Sequence, residues 1–427
     1  MKVYFYTLGC KVNQYETQEM LELFGNAGFE STDEPKNAGI IVINSCTVTA
    51  ESVRKLRQSA RKFKSMNPGA LLAITGCASQ AEPQKIIDEL PEADVILGNK
   101  NHTDIVELCR KELKEGTRLI EYSEHKTGDV FTGTGITRFD GHTRAFLKIQ
   151  DGCDRFCSYC LIPTARGRSR SKKLEDIDRE LSSLEKNGYE EIVFVGINLS
   201  DYGKGTDYSL PDALSLASKY DGIKRIRLGS LEPDHITDEM IERLSKLPKL
   251  CPQFHISVQS GCNYVLKRMN RHYTAEEYKA LAAKLRASFE DCTITTDILV
   301  GFPTETEEDF AVTAEFAKDV KFEKIHIFPY SKRDRTPAAK MPQLSNAVKN
   351  DRAHRLGLIA ADIRREYMKS QVGRTVEVLF ETEHDEYSEG YTKNYTPVRI
   401  YDKANRKGKT ISVKITGYTD DCCIAEE

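Results

Sequence analysis

Three cysteines stand within eight residues in Cys153-Asp154-Arg155-Phe156-Cys157-Ser158-Tyr159-Cys160, a C-x3-C-x2-C spacing that lets three thiolates fold around one compact metal centre. Chance placement of the cysteines would give roughly 0.01 such patterns. Structural zinc takes four Cys or His ligands, and the nearest histidine, His142, lies eleven residues upstream. A [4Fe-4S] cube held by three cysteines instead has one iron without a protein ligand, the counterpart of the open position in catalytic metal sites, where a cofactor can chelate. A second set is dispersed: Cys10 follows Gly9, Cys46 follows Ser45 and Cys77 follows Gly76, each just past an apolar run that reads as a strand. If those strands are parallel neighbours, the three thiols meet at one sheet edge, the crevice where such folds bind ligands. The other six cysteines, Cys109, Cys251, Cys262, Cys292, Cys422 and Cys423, show no ligand spacing beyond the adjacent last pair. Their expected role is that of small core hydrophobes.

The elements that must position these thiols are legible in the hydrophobic periodicity. Residues 1–132 alternate strand-like runs (Val3 to Leu8, Ile40 to Asn44, Leu71 to Thr75, Val95 to Leu97) with helical segments (Tyr15 to Gly25, Ala50 to Phe63, Gln84 to Leu90, Thr103 to Leu113). That pattern predicts an open parallel-sheet βα domain. A Gly/Thr-rich stretch, Thr132 to Thr137, breaks it as a linker. Residues 139–370 carry six further strand candidates, at Ala145 to Ile149, Ile192 to Val195, Ile226 to Gly229, His255 to Val258, Thr293 to Val300 and Ile325 to Pro329. Six repeats predict a partial (βα)6 barrel, and the cysteine loop after its first strand lies where barrel active sites collect. Residues 371–427 alternate in strand fashion only, as in Thr375 to Phe380 and Thr410 to Ile415, and predict a small antiparallel β-barrel. The fold class is thus α/β in three parts.

With 427 residues, 39% hydrophobic and 30% charged, the chain excludes a disulfide miniprotein, a collagen or a disordered tail. Its 62 basic and 65 acidic side chains give a net charge of -3, so any nucleic acid must be met by local patches. The N-terminus shows no signal-peptide pattern, and no apolar run is long enough to span a membrane. A cytoplasmic location is therefore expected, with twelve cysteines serving metal or redox chemistry.

The three-cysteine motif after the first strand of a six-fold βα domain resembles the radical S-adenosylmethionine (SAM) superfamily. Together with the three N-terminal cysteines and the terminal β-barrel, which is similar to the TRAM domain, it resembles the methylthiotransferases. Leu8-Gly9-Cys10-Lys11-Val12-Asn13-Gln14-Tyr15-Glu16, Cys160 to Ser171 and Gly301-Phe302-Pro303-Thr304-Glu305-Thr306 look like the MtaB branch of that family. The resemblance implies insertion of a methylthio group at C2 of N6-threonylcarbamoyladenosine at position 37 of tRNA. It implies one [4Fe-4S] cluster on Cys153, Cys157 and Cys160, which cleaves SAM to a 5′-deoxyadenosyl radical, and a second on Cys10, Cys46 and Cys77, which carries sulfide. Two SAM molecules are used per product, and an electron donor of flavodoxin or ferredoxin type and a sulfur source are required. The same chemistry on N6-isopentenyladenosine or on an aspartate of ribosomal protein S12 is the alternative, and a non-catalytic iron-sulfur RNA-binding sensor is the alternative of another class.

Breaking an aromatic C–H bond is beyond side-chain acid-base chemistry, so the clusters carry the reaction and no side-chain base is assigned. By the resemblance, Tyr159 packs by the SAM adenine, and Gly196, Asn198, Ser230, Glu232, Gln259, Asp297 and Phe328 are the remaining cofactor contacts. For tRNA the candidates are Arg166, Arg168 and Arg170 after the cluster motif, which face an approaching phosphate or carboxylate. Tyr391, Tyr395 and Arg399 would serve by stacking in the last domain. Basic runs at Arg54 to Lys64 and at Lys267, Arg268 and Arg271 are further candidates.

Overall fold

Short runs, mostly apolar and too short to be helices, pair into an all-parallel sheet at the N-terminus: β1 Lys2–Thr7, β2 Glu30–Ser31, β3 Ile40–Ser45, β4 Leu71–Gly76, β5 Val95–Leu97 and β6 Leu119–Glu121. Their spatial order is β2-β1-β3-β4-β5-β6. The structure is a computed structural model and describes residues 1–402 and 404–427. Register aligns Thr7 with Asn44 and Asn44 with Thr75, so β1, β3 and β4 end side by side. Helices α1 (Lys11–Asn26), α2 (Ala50–Met66) and α3 (Cys77–Ala81) follow these three strands directly. The two outer strands β2 and β6, absent from the sequence reading, are two and three residues long, below what periodicity can register.

The central part is an arc of parallel strands. It runs from β7 (Arg144–Lys148), the first strand, through β10 (Glu191–Val195) to β11 (Arg225–Leu228). The short pair β8 (Gln150–Asp151) and β9 (Arg170–Ser171) lies outside it and closes the cysteine loop. After Gly229 the arc continues through β12 (Ser230–Leu231), β13 (Gln253–Ile256), β14 (Thr293–Val300) and β15 (Lys324–Pro329). Counting β11 and β12 as one strand interrupted at Gly229, six strands form an open barrel. The last strands, β16 (Thr375–Glu383), β17 (Ser388–Thr392), β18 (Pro397–Ile400), β19 (Thr410–Tyr418) and β20 (Cys423–Glu426), close into a barrel in the order β16-β17-β18-β20-β19.

The three parts are packed through shared elements. Helix α1 buries Val12 and Tyr15 in the core of the open barrel but Met20 and Phe24 in the core of the N-terminal sheet. Helical spacing puts the two pairs on different faces. The Gly/Thr linker is pinned to the same helix: Gly135 N donates to Glu19 Oε1 at 3.0 Å and Thr137 N to Glu22 Oε1 at 2.8 Å. On the other side, the 25-residue helix Asn346–Ser370 puts Leu356 in the open-barrel core and Met368 in that of the terminal barrel. Arg225 and Arg227 donate to the Tyr391 and Lys393 carbonyls at 3.1 and 3.0 Å, and Thr293 Oγ1 donates to Asn394 O at 2.6 Å. Among the described residues no helix is long and apolar enough to cross a membrane.

Candidate active site

The N-terminal thiols are set by strand ends. Cys10 caps α1, Cys46 follows β3, and Cys77 opens α3 after β4. Two glycines let their loops close. Gly9 has φ of +120° and a Cβ there would stand 3.1 Å from Cys46 Cβ, while Gly76, at φ +100°, leaves room only 2.5 Å from the Ser45 backbone. Asn13 ties two of the loops, donating from Nδ2 to Ser45 O at 3.0 Å and accepting at Oδ1 from Cys10 Sγ at 3.3 Å. Burial pushes the Cys46 thiol up, and Cys10 raises it further. Burial pushes Cys77 up to about 12 against the pull of Arg166, with Cys46 and Cys10 adding to the rise. Thiols this reluctant to ionise lose their protons when metal binds.

The contiguous thiols are held by a loop folded back on itself. Cys153 N donates to Gly167 O at 3.0 Å, and Gly152, at φ +74°, has Arg168 O 2.0 Å from where a Cβ would lie. Asn270 Nδ2 holds the Arg155 and Phe156 carbonyls at 3.1 and 3.2 Å, and Phe156 takes a φ of +51°. Backbone N–H groups point at sulfur: Arg155 N to Cys153 at 3.5 Å and Ile162 N to Cys160 at 3.4 Å. Burial pushes Cys153 and Cys160 up to about 12, each raised further by neighbouring thiols. Among the described residues no three His, Cys, Asp or Glu side chains converge on the centre of a single ion. Three thiols on one short loop, two of them met by backbone N–H groups, are the donor set that a four-iron cluster takes, each cysteine on a different iron.

Around the contiguous thiols several buried polar atoms lack partners: both amide atoms of Asn198, Oδ2 of Asp201, and Nε of Arg155 and Arg271. Unpartnered polar atoms also occur elsewhere, at Glu89, Thr143 and Arg352 among others, and those beside the thiols leave donors and acceptors that a polar ligand can meet. Of the expected cofactor contacts, Gly196, Ser230, Asp297 and Phe328 line one cavity of about 450 Å³ inside the open barrel. Asp297 there accepts from Ser257 Oγ at 2.9 Å and lies 3.2 Å from His255 Nε2. Glu232 is paired with Arg271 beside the cysteine loop. Gln259 lies three residues past β13 with φ of +66°, and Tyr159 packs edge-on to Phe302 at 6.5 Å. The same cavity is lined by Cys10, Lys11 and Val12 from the N-terminal part and by Tyr395 from the terminal barrel. All three parts of the chain therefore meet at one chamber.

The placement of the expected tRNA contacts differs from the sequence reading. Arg166 is wholly buried. Its guanidinium holds Glu16 at 2.7 Å and Asp151 at 3.0 Å and donates from Nε to Cys77 Sγ at 3.2 Å. Arg170 turns inward onto the Arg166 and Arg168 carbonyls at 2.7 and 2.9 Å. Arg168 alone of the three faces solvent, over the exposed ring of Phe156 at 4.5 Å. Tyr391 and Tyr395 stack on each other at 4.5 Å, with Arg144 over both rings and Arg227 over Tyr395, so these aromatics seat the terminal barrel on the central one. Arg399 is paired with Glu389 at 2.6 Å and lies over Tyr387. On α2, Arg54, Arg57, Arg61 and Lys64 pair with Glu51, Glu89, Glu92 and Asp94, while Lys55 and Lys62 of the same run are exposed with no ion-pair partner among the described residues. Two elements were missed from sequence. One is the buried set Glu16, Lys148, Asp151 and Arg166; the other is Lys11 as a cavity residue. Glu16 and Lys11 do stand in the motif around Cys10, and that proximity was the available signal.

Comparison with known proteins agrees with this architecture. Residues 147–317 match the radical SAM superfamily and residues 2–98 match the uncharacterized protein family UPF0004. The chain is 39% identical to the threonylcarbamoyladenosine tRNA methylthiotransferase MtaB of Bacillus subtilis, over 97% of this chain and 93% of that protein. It is 36% identical to the MtaB of Aquifex aeolicus, covering 92% and 95%. It is also 36% identical to the tRNA-2-methylthio-N(6)-dimethylallyladenosine synthase of Geobacillus thermodenitrificans, covering 97% and 81%. Among solved structures, the radical SAM methyltransferase TsrM of Kitasatospora setae, with cobalamin and a [4Fe-4S] cluster bound, superposes with a TM-score of 0.59 at 14% identity, over 79% of this chain and 77% of that one. At that identity the likeness is one of fold.

Proposed function

The chain belongs to the radical SAM tRNA methylthiotransferases, and from that membership we propose that it converts N6-threonylcarbamoyladenosine 37 of tRNA to its 2-methylthio derivative. One observation carries the reading. Cys10, from the dispersed thiol set, lines the same chamber as the barrel strand-end residues Gly196, Ser230 and Asp297. A base inserted there meets the N-terminal site and the mouth of the barrel together.

Cys153, Cys157 and Cys160 would hold one [4Fe-4S] cluster and Cys10, Cys46 and Cys77 the other. When bound, the clusters and SAM supply the electron, radical and sulfur chemistry that side chains lack. The chain's own residues do the rest. Backbone N–H groups of Arg155 and Ile162 stabilise charge on Cys153 and Cys160. The orphaned amide of Asn198 and the Nε atoms of Arg155 and Arg271 offer donors to a polar cofactor. Asp297, fixed by Ser257 and His255, presents an oriented carboxylate to the chamber. The closed terminal barrel, seated by Tyr391 and Tyr395, completes the wall. An electron donor, a sulfur source and a cytoplasmic location complete the reading.

The test is anaerobic reconstitution followed by incubation with SAM, reductant and tRNA bearing threonylcarbamoyladenosine. The expected products are 5′-deoxyadenosine and, by nucleoside mass spectrometry, 2-methylthio-threonylcarbamoyladenosine. Absence of the methylthio nucleoside from a protein with its full iron content overturns the substrate. Absence of 5′-deoxyadenosine as well overturns the enzyme and leaves the iron-sulfur sensor.

A further inference from the structure

We propose that Lys11 reads the carboxylate of the substrate's threonylcarbamoyl group inside the barrel chamber and so sets which modified adenosine is accepted. The inference rests on the reading just given and deepens it. The chamber of about 450 Å³ is lined by the cations Lys11, Arg227 and Lys324 and the imidazoles of His255 and His326, against one carboxylate, Asp297. Most of these groups are committed. Asp297 and His255 hold each other. Arg227 is bound to Glu191 at 2.7 Å and to the Lys393 carbonyl at 3.0 Å. Lys11 has no ion-pair partner among the described residues, and its Nζ lies 6.0 Å from the centre of the Phe146 ring. Lys11 is solvent-exposed at the chamber's rim, so the chamber offers one uncommitted cation that an acidic ligand can meet.

Position decides what that ligand is. Lys11 directly follows Cys10 and lines the chamber with it, on the side of the N-terminal thiol site where C2 of the adenine must arrive. In threonylcarbamoyladenosine the ring edge and a short ureido link separate C2 from the threonine carboxylate, a span that a flexible four-carbon stem can bridge. A carboxylate there makes a charge-assisted hydrogen bond. A dimethylallyl group at the same place offers that ammonium no charge to pair with. The chamber therefore favours the acidic substituent over the apolar one by attraction. Lys324 also lines the chamber, but it sits at the start of β15 and borders a second cavity with Arg364 and Asp421.

The experiment uses the reconstituted full chain and three anticodon stem-loops, carrying threonylcarbamoyladenosine, its methyl ester, or dimethylallyladenosine. Binding and turnover are measured for the wild type, Lys11→Met, Lys11→Arg and Lys324→Met, with iron content checked in each. The wild type is expected to bind the acid at least about tenfold more tightly than the ester. Lys11→Met should bind the two alike with its iron intact, and Lys11→Arg should recover the preference. A wild type indifferent to esterification, a Lys11→Met variant that keeps the preference, or loss of preference on Lys324→Met instead overturns the proposal. Binding and turnover separate the two readings. A protein that prefers the acid through Lys11 yet methylthiolates none of the stem-loops keeps the carboxylate site and loses the proposed activity.

Discussion

Arg166 Nε lies 3.2 Å from Cys77 Sγ, although the arginine follows the contiguous cysteine motif and the cysteine belongs to the dispersed one. The same guanidinium holds Glu16 of α1 and Asp151 of β8, while Lys148 pairs with both acids at 2.6 and 2.7 Å. Burial pushes Glu16 up, but Arg166 and Lys148 overcome it and hold the carboxyl down at about 2. Replacing Arg166 by Gln leaves two buried carboxylates short of a cation. The expected cost is about 3–5 kcal/mol, read as a lowered midpoint of chemical denaturation. Were Arg166 a tRNA contact instead, the variant would be as stable as wild type and weaker only in tRNA binding.

What the sequence could and could not reveal divides along the same line. Strand ends were legible because periodicity locates apolar runs, and parallel topology then forces Cys10, Cys46 and Cys77 to one edge. Thr293–Val300 and Val95–Leu97 come out with the boundaries read from sequence. The roles of Arg166 and Tyr395 were not legible. Each is decided by partners more than a hundred residues away, Glu16 for one and Arg144 for the other, and a lone arginine or tyrosine gives the same local signal whether it faces RNA or a domain joint.

Tyr395 is a second case where a joint replaces a surface. Its hydroxyl accepts from Arg144 Nη2 at 2.9 Å, and its ring stacks on Tyr391. Tyr395→Phe should cost about 1 kcal/mol, and in a double-mutant cycle with Arg144→Ala the two changes should be less than additive by about 0.5 kcal/mol or more. Full additivity in denaturation midpoints would show that the pair does not couple the barrels.

Stability should also carry a pH signature from Glu323, which sits where the central barrel meets the terminal one. Burial pushes its carboxyl up from 4.5 to about 7, against the pull of Arg286. An acid raised on folding binds its proton more tightly in the native state. Its contribution is therefore full below 4.5, is lost as pH rises toward about 7, and stays lost above. The loss amounts to about 3 kcal/mol. Denaturation midpoints of the wild type and Glu323→Gln between those limits should differ in slope, with the glutamine variant flatter. Parallel slopes would mean that the folded carboxyl titrates like an unfolded one.

Single cysteine substitutions separate the two thiol sites. Cys157 belongs to the loop beside Glu232 and Arg271, and Cys46 to the strand-end set reached by Arg166. Cys157→Ala should lose SAM cleavage and product together. Cys46→Ala leaves the contiguous loop and its backbone N–H groups untouched, so cleavage to 5′-deoxyadenosine should persist while the methylthio nucleoside disappears. Each variant should fall from about eight to about four irons per chain. Iron analysis thus distinguishes loss of one cluster from misfolding, which would empty both. Full product from Cys46→Ala would remove the N-terminal thiols from sulfur delivery. Loss of 5′-deoxyadenosine in that variant, with four irons retained, would mean that the two sites act as one unit through Arg166.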